Sequence, residues 1–245
     1  MKVNAIIIYL TKDLERKRNL INNLDSHYFD IHLVEGIDGK NLSKDELIEF
    51  KLYSNGFYSR YKRAPFNTEY ACLKSHIKAW KYVQDNSLIN AIVFEDDAIV
   101  NSRSSFNLGL FDINSSVKFF GGFEGLRGAS LKIWDKTEYD FIFKCVDFKF
   151  LHRMSSYSLD SRSIDNYVNK MISKGIVNDD YYMMYKEGII DSVYLYKKYE
   201  HPPVSAPSHI LARKENKSLM IFSLKRIFYN ILNFSNYTYE EIPRQ

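Results

Sequence analysis

Three consecutive carboxylates, Glu95, Asp96 and Asp97, follow the apolar run Ala91-Ile92-Val93-Phe94. Side by side they repel one another, and they are costly to desolvate unless a positive charge sits among them. Two readings are open from these residues. The acids end a solvated strand, with Asp97 starting a turn, or they hold a divalent cation that a substrate shares. Carboxylate oxygens are hard donors suited to Mn²⁺ or Mg²⁺, ions that keep open positions for phosphate oxygens. A diphosphate bridged to such an ion leaves more readily, because the metal neutralises charge as it develops.

Other positions carry chemistry-bearing side chains as well. His76 falls in the middle of an apolar helical stripe, where a histidine is either a satisfied core residue or part of a site; Ser75 beside it points elsewhere on the helical wheel. Asp179 and Asp180 precede the aromatic run "YYMMY", a position that suits a helix N-cap as well as a reacting carboxylate. Asp38, in "EGIDGKNL", reads as a turn residue before Gly39. Only 6 His occur, with no close pair at ligand spacing, which argues against a metal-dependent hydrolase or nucleotidyltransferase. The 2 cysteines, Cys72 and Cys145, fall in different elements and offer neither a disulfide framework nor metal-ligand spacing, so a reducing cytosol is expected.

These residues must be held by elements that the hydrophobic pattern predicts. "AIIIYL" (5–10) is a strand buried on both faces. Asp13 can cap a helix carrying Leu14, Arg18, Ile21 and Leu24, and "FDIHLVEGI" (29–37) returns as a strand. That β-α-β order implies an α/β fold with a parallel sheet. Residues 40–66, with Gly56 and Pro65 as breakers, read as a long loop with one short helix near 43–52. The clearest helix spans 68–85, with Leu73, His76, Ile77, Trp80 and Val83 on one face and Lys74, Lys78 and Lys81 on another. Strands follow at 91–94 and 117–122, then a hairpin around 130–148, a strand at 154–159 leading into a helix at 161–173, and a last strand, "SVYLYKKY".

The 245 residues, 45% hydrophobic and 26% charged, are enough for one large domain with a full core. The 19 Tyr suit carbohydrate binding and equally suit an Ile/Asn/Lys/Tyr-rich proteome. The run "VNAIIIYL" meets Lys12, Asp13, Glu15 and Arg16 at once, so it reads as a strand and not a targeting segment, and no stretch reaches the length of a membrane span. The net charge of +4 sits between Arg213 and Arg226, leaving a neutral body that does not call for nucleic acid.

Four pieces occur in a telling order: "YLTKDLERKRNL", "VEGIDGKNL", "EYACLKSHIKAW" and "AIVFEDDAIV". Together they resemble glycosyltransferase family 25, which contains bacterial lipooligosaccharide galactosyltransferases and collagen galactosyltransferases. The likeness continues more faintly through "SSYSLDSRSIDNYV", "VNDDYYM" and "HPPVSAPSH", covering most of residues 1–210. It implies an α/β, GT-A-type fold, a Rossmann-like mixed, mainly parallel sheet flanked by helices, to which the residues beyond the likeness add a C-terminal helical tail. The acid motif maps onto Glu95, Asp96 and Asp97, expected to hold Mn²⁺ (or Mg²⁺) against a sugar-nucleotide diphosphate, with Glu95 and Asp97 as ligands. Leu10, Thr11, Asp38, Ser75 and His76 fall to the donor side. The family often shows "NL-x-x-R-x-x-R" after the first strand where this chain has "YLTKDLERKR", which leaves Arg16 and Arg18 as alternatives.

The resemblance further implies inverting transfer of a sugar, UDP-galactose leading, to a hydroxyl of a glycan or lipid-linked glycan acceptor such as lipooligosaccharide or a capsule precursor. Asp180 is the candidate base, Asp179 its neighbouring rival and Glu124, in "GGFEG", the reserve. A non-catalytic sugar- or nucleotide-binding protein of the same fold is the other reading, although such a protein would be expected to have lost the acid triplet, which is intact here.

A boundary is expected near Ala212, dividing a catalytic domain, 1–212, from a basic tail, 213–245. Read as a helix, 219–234 places Met220, Leu224, Ile227, Ile231 and Phe234 on one side and Ser223, Arg226, Asn230 and Asn233 opposite. Such a helix either docks on the domain or lies on an anionic membrane surface, which would make a cytoplasmic enzyme peripheral to the inner face of the cytoplasmic membrane.

Overall fold

The computed structural model describes residues 2–100, 108–121, 134–137 and 142–199. Glu124 and the tail from 213 to 245, with its proposed boundary, lie outside the described residues.

In chain order the elements are β1 (Val3–Tyr9), α1 (Leu14–Asn23), β2 (Phe29–Glu35), α2 (Lys44–Tyr61), α3 (Asn67–Asp85), β3 (Ala91–Glu95), β4 (Val117–Gly121), β5 (Trp134–Lys136), β6 (Ile142–Cys145), β7 (Ser156–Leu159), α4 (Ser161–Lys174), α5 (Tyr181–Lys186) and β8 (Val193–Tyr199). The strands form one mixed sheet in the order β2-β1-β3-β7-β4-β8-β6-β5. Parallel pairing joins β1 to β2, β1 to β3 and β4 to β8; β7 runs antiparallel between β3 and β4, and the β5–β6 hairpin closes the far edge antiparallel to β8. The mixed α/β sheet flanked by helices is the class expected from the sequence.

The run "VNAIIIY" is apolar almost throughout because both faces of β1 are covered. Ile6 and Ile8 join a core with Leu73, Ile77 and Trp80 of α3, while Val3, Ala5 and Ile7 join a second core with Leu20, Leu24 and Phe29. In β3, Val93 faces the first core and Ile92 and Phe94 the second. Alternation along each strand thus sends successive side chains to opposite layers. The α3 stripe is buried as expected, with Leu73, His76, Ile77, Trp80 and Val83 all inside.

Two local expectations change. Asp13 occupies the N-cap of α1 but makes no side-chain capping hydrogen bond. Residues 44–61 form an 18-residue helix, running straight through Gly56, instead of a short helix in a loop. Ser43 and Glu46 start α2 with a reciprocal capping box, the Glu46 N–H donating to Ser43 Oγ (3.3 Å) and the Ser43 N–H to Glu46 Oε2 (2.7 Å). Gly56 is where α2 meets the end of α4: a Cβ there would lie 2.8 Å from the Lys174 carbonyl carbon and 2.9 Å from the Gly175 nitrogen. Glycine in a helix costs about 1 kcal/mol in propensity, and close helix packing overrides that signal here.

Among the described residues no helix is long and apolar enough to cross a membrane. Both cysteines are free thiols.

Candidate functional site

The strands β1, β2 and β3 are parallel and end level with one another: Tyr9 pairs with Glu35, and Ile8 with Glu95. The segments leaving them, 10–13, 36–41 and 95–98, share one edge of the sheet, the edge at which open α/β sheets bind ligands.

Glu95 closes β3 and meets α3. His76, 1% exposed, places Nε2 3.1 Å from Glu95 Oε1 and Nδ1 2.9 Å from the Tyr157 hydroxyl, which also accepts the Trp80 Nε1–H at 2.8 Å. A carboxylate only accepts, so this contact places a proton on Nε2. Tyr157 reaches the histidine because β7 pairs with β3 in the register Val93↔Tyr157, which turns its ring to the α3 side of the sheet.

Cys72 lies one helical turn before His76. Its sulfur, His76 and Glu95 bring their ligand atoms within 4.8 Å of one another, a group able to hold a metal ion. Asn178 Nδ2 approaches Cys72 Sγ at 3.8 Å, and the Tyr167 hydroxyl donates to Asn178 Oδ1. Burial pushes the Cys72 thiol well up, and Glu95, Asp179 and Asp97 add to that in turn. Glu95 brings its oxygen within 4.8 Å of that sulfur, while Asp97 and Asp179, from other segments, act on it through their charge.

Asp96 points toward the loop after β1. Burial, then the charge of Asp97, pushes its carboxyl up to about 7, against the opposing pull of Arg16 and a hydrogen bond from the Leu10 backbone. Arg16 is the arginine whose charge acts on Asp96, whereas Arg18 lines a shallow hollow with Leu14, Lys17, Ile21 and Leu33. Thr11 sits exposed in the turn after Leu10, whose carbonyl accepts the Asp13 N–H at 2.9 Å. Burial and like charge that destabilise the ionised Asp96 are conditions that a bound cation relieves.

The loop after β2 is tied to both neighbours. Asp38 accepts from Lys12 Nζ (3.1 Å) and from the Lys40 N–H (3.1 Å). Partial burial pushes the Asp38 carboxyl up, but the Lys40 backbone and the Lys12 ammonium outweigh it and hold the group below its usual value. Ser75, buried on α3, accepts the Ile37 N–H at 2.8 Å and donates to the Ala71 carbonyl at 2.7 Å. Gly39 lets this loop pass the start of α3, since a Cβ there would come within 2.8 Å of the Thr68 backbone.

The paired aspartates separate in space. Asp180 is the N-cap of α5, its Oδ1 accepting the Met183 N–H (3.0 Å) and its Oδ2 the Tyr61 hydroxyl (2.7 Å). Asp179 accepts the Arg153 N–H at 3.1 Å and is the one that acts on Cys72 and, with Glu95, on Tyr181.

Sequence reasoning set Cys72 aside as lacking metal-ligand spacing, which its grouping with His76 and Glu95 corrects, and gave no site role to Lys12, Tyr157 or Trp80. Cys72 had a legible signal: it and His76 stand four apart on a helix, hence on one face. Tyr157 had none, because only strand pairing brings it to α3.

The model of glycosyltransferase family 25 (LPS biosynthesis protein) matches residues 2–202. Procollagen galactosyltransferase 2 of Mus musculus is 29% identical over 93 residues, 37% of this chain and 15% of the relative. The Homo sapiens protein of the same name is likewise 29% identical over 93 residues, again 37% of this chain and 15% of the relative. A glycosyltransferase 25 family member of Aedes aegypti is 28% identical over 93 residues, with the same 37% and 15% coverage. The chain thus aligns with only 15% of the length of these relatives.

Proposed function

This chain belongs to glycosyltransferase family 25, and we propose that it transfers a hexose, galactose leading, from a UDP-sugar to a hydroxyl of a glycan or lipid-linked glycan. The observation that carries this reading is the acid-ended β3, its Glu95 held by His76, at the level ends of β1, β2 and β3. Galactose leads because the similar mammalian proteins are named galactosyltransferases.

Glu95 and Asp97 would hold Mn²⁺, which when bound supplies positive charge against the diphosphate. His76 orients Glu95 by donating to Oε1. Arg16, whose charge acts on Asp96, would offer a cation at the same edge. The acceptor oxygen attacks the anomeric carbon with its lone pair while the bond to the diphosphate oxygen breaks, inverting that centre. A carboxylate must take the hydroxyl proton. Asp179 suits that part better than Asp180, whose two oxygens already serve Met183 and Tyr61. An acceptor held at a membrane and a peripheral location through residues 213–245 remain part of the proposal, resting on the sequence of that tail.

The test is a screen of UDP-sugars for nucleotide release with and without Mn²⁺ and glycan acceptors, beside thermal shifts with UDP and Mn²⁺ singly and together. Acceptor-dependent release and a stabilisation that needs both ligands are expected. Equal shifts from UDP alone, with no release from any donor, would overturn the reading.

A further inference from the structure

We propose that Cys72, His76 and Glu95 form a site for one thiophilic divalent cation of the zinc class, different in chemistry from the hard-cation position at Asp97 and sharing Glu95 with it. Cys72 and His76 project from the same face of α3, and Glu95 reaches them from the end of β3. Their ligand atoms lie within 4.8 Å of one another, and His76 Nε2 is 3.1 Å from Glu95 Oε1. Zinc binds sulfur at about 2.3 Å and nitrogen or oxygen at about 2.0–2.2 Å, so tetrahedral ligands stand roughly 3–4 Å apart. Small side-chain adjustments close that difference. Sulfur, imidazole and carboxylate together select zinc over Mn²⁺ or Mg²⁺, which prefer oxygen.

The supporting groups are already built. Metal-bound histidines hold their other nitrogen by a hydrogen bond, and ligand-supporting contacts tune affinity. His76 Nδ1 lies against the Tyr157 hydroxyl, itself held by Trp80, and Asn178 Nδ2 faces Cys72 Sγ while Tyr167 steadies the Asn178 oxygen. Three protein ligands leave a fourth position for water or substrate. The Glu95 side chain is 27% exposed, so the ion has a way in from solvent. On binding, the Cys72 S–H proton goes to solvent and the sulfur lone pair forms the bond to the ion. His76 moves its proton to Nδ1, facing the Tyr157 oxygen, and gives its Nε2 lone pair to the ion. Glu95 Oε1 exchanges the imidazole N–H for the cation. One consequence rests on the transferase reading: Glu95 is drawn away from the hard cation, so zinc inhibits transfer.

The experiment titrates full-length, untagged, metal-stripped protein with Co²⁺ and then Zn²⁺. One equivalent of Co²⁺ is expected to raise a thiolate-to-cobalt charge-transfer absorption that Zn²⁺ abolishes. Cys72→Ser removes the band, Cys145→Ser keeps it, and Tyr157→Phe weakens binding by about ten- to a hundred-fold. Absence of the band at one equivalent, or a band that survives Cys72→Ser, overturns the site. Should Cys72→Ser fail to fold, alkylation of the wild-type protein decides: Zn²⁺ is expected to slow labelling of Cys72 at least ten-fold, and unchanged labelling overturns the site. Zinc that binds through Cys72 without lowering turnover refutes the inhibition alone, and a wild type inactive on every donor bears only on the transferase reading.

Discussion

His76 Nε2 lies 3.1 Å from Glu95 Oε1, joining the middle of α3 to the end of β3 beneath the acid cluster. The imidazole is buried while the carboxylate reaches solvent. His76 is therefore a core residue that also holds the carboxylate: packing fixes the ring, and the ring fixes Glu95.

His76→Ala should lower stability and activity together. Removing the ring leaves a cavity and strips partners from Glu95 and Tyr157, at a cost of roughly 2–4 kcal/mol. Thermal melts read the first effect and Mn²⁺ titration of turnover the second. A mutant as stable as the wild type and equally active would remove His76 from both roles.

Asp97→Asn should cut transfer by about a hundred-fold or more while leaving the melting temperature within a few degrees, since one coordinating charge is lost from a partly exposed position. Steady-state rates at several Mn²⁺ concentrations check this. Activity within a few-fold of wild type, at the same Mn²⁺ requirement, would take Asp97 out of the metal site.

The two neighbouring aspartates should behave differently. Asp179→Asn is expected to lower kcat by about a hundred-fold or more with UDP affinity unchanged. Asp180→Ala should instead cost about 1–2 kcal/mol of stability through loss of the α5 cap. Measuring kcat and the unfolding midpoint for both separates them; a reversed pattern would return the base to Asp180.

Gly56→Ala should destabilise the fold by about 1–3 kcal/mol because the new methyl meets the backbone at the end of α4. Specific activity of the folded fraction should be unchanged. Denaturant unfolding with unaltered stability would show that the two helices do not pack this closely.

Protein freed of divalent cations should lose stability as pH rises from about 4 to 7. Burial and Asp97 raise the folded Asp96 carboxyl to about 7. The unfolded chain therefore ionises first, and the folded state binds the extra proton across that window. Melting temperatures at pH 5 and pH 8 should show the fall, and Asp96→Asn should flatten it. An unchanged slope in that variant would assign the dependence elsewhere.

The N-terminal β-α-β unit, the α3 stripe and the acid-ended strand were legible because each is a local pattern. Buried strands read as apolar runs, and one face of a helix repeats every three or four residues. Gly56 misled for the opposite reason: its signal is a local propensity, and what keeps it helical is α4, more than a hundred residues later. The acid cluster and the "DG" turn could be found by eye, as could the aspartate pair. Which aspartate caps a helix and which accepts the Arg153 N–H could not be read, because adjacent residues differ only in where the folded backbone aims them. The same holds for Arg16 against Arg18. Residue types and spacing by themselves determined that carboxylates would end a central strand beside a histidine-bearing helix. Only the tertiary structure decided that β7 would run antiparallel to β3 and bring Tyr157 to that histidine, since hydrogen-bonded register between strands joins residues whose separation along the chain leaves no local trace.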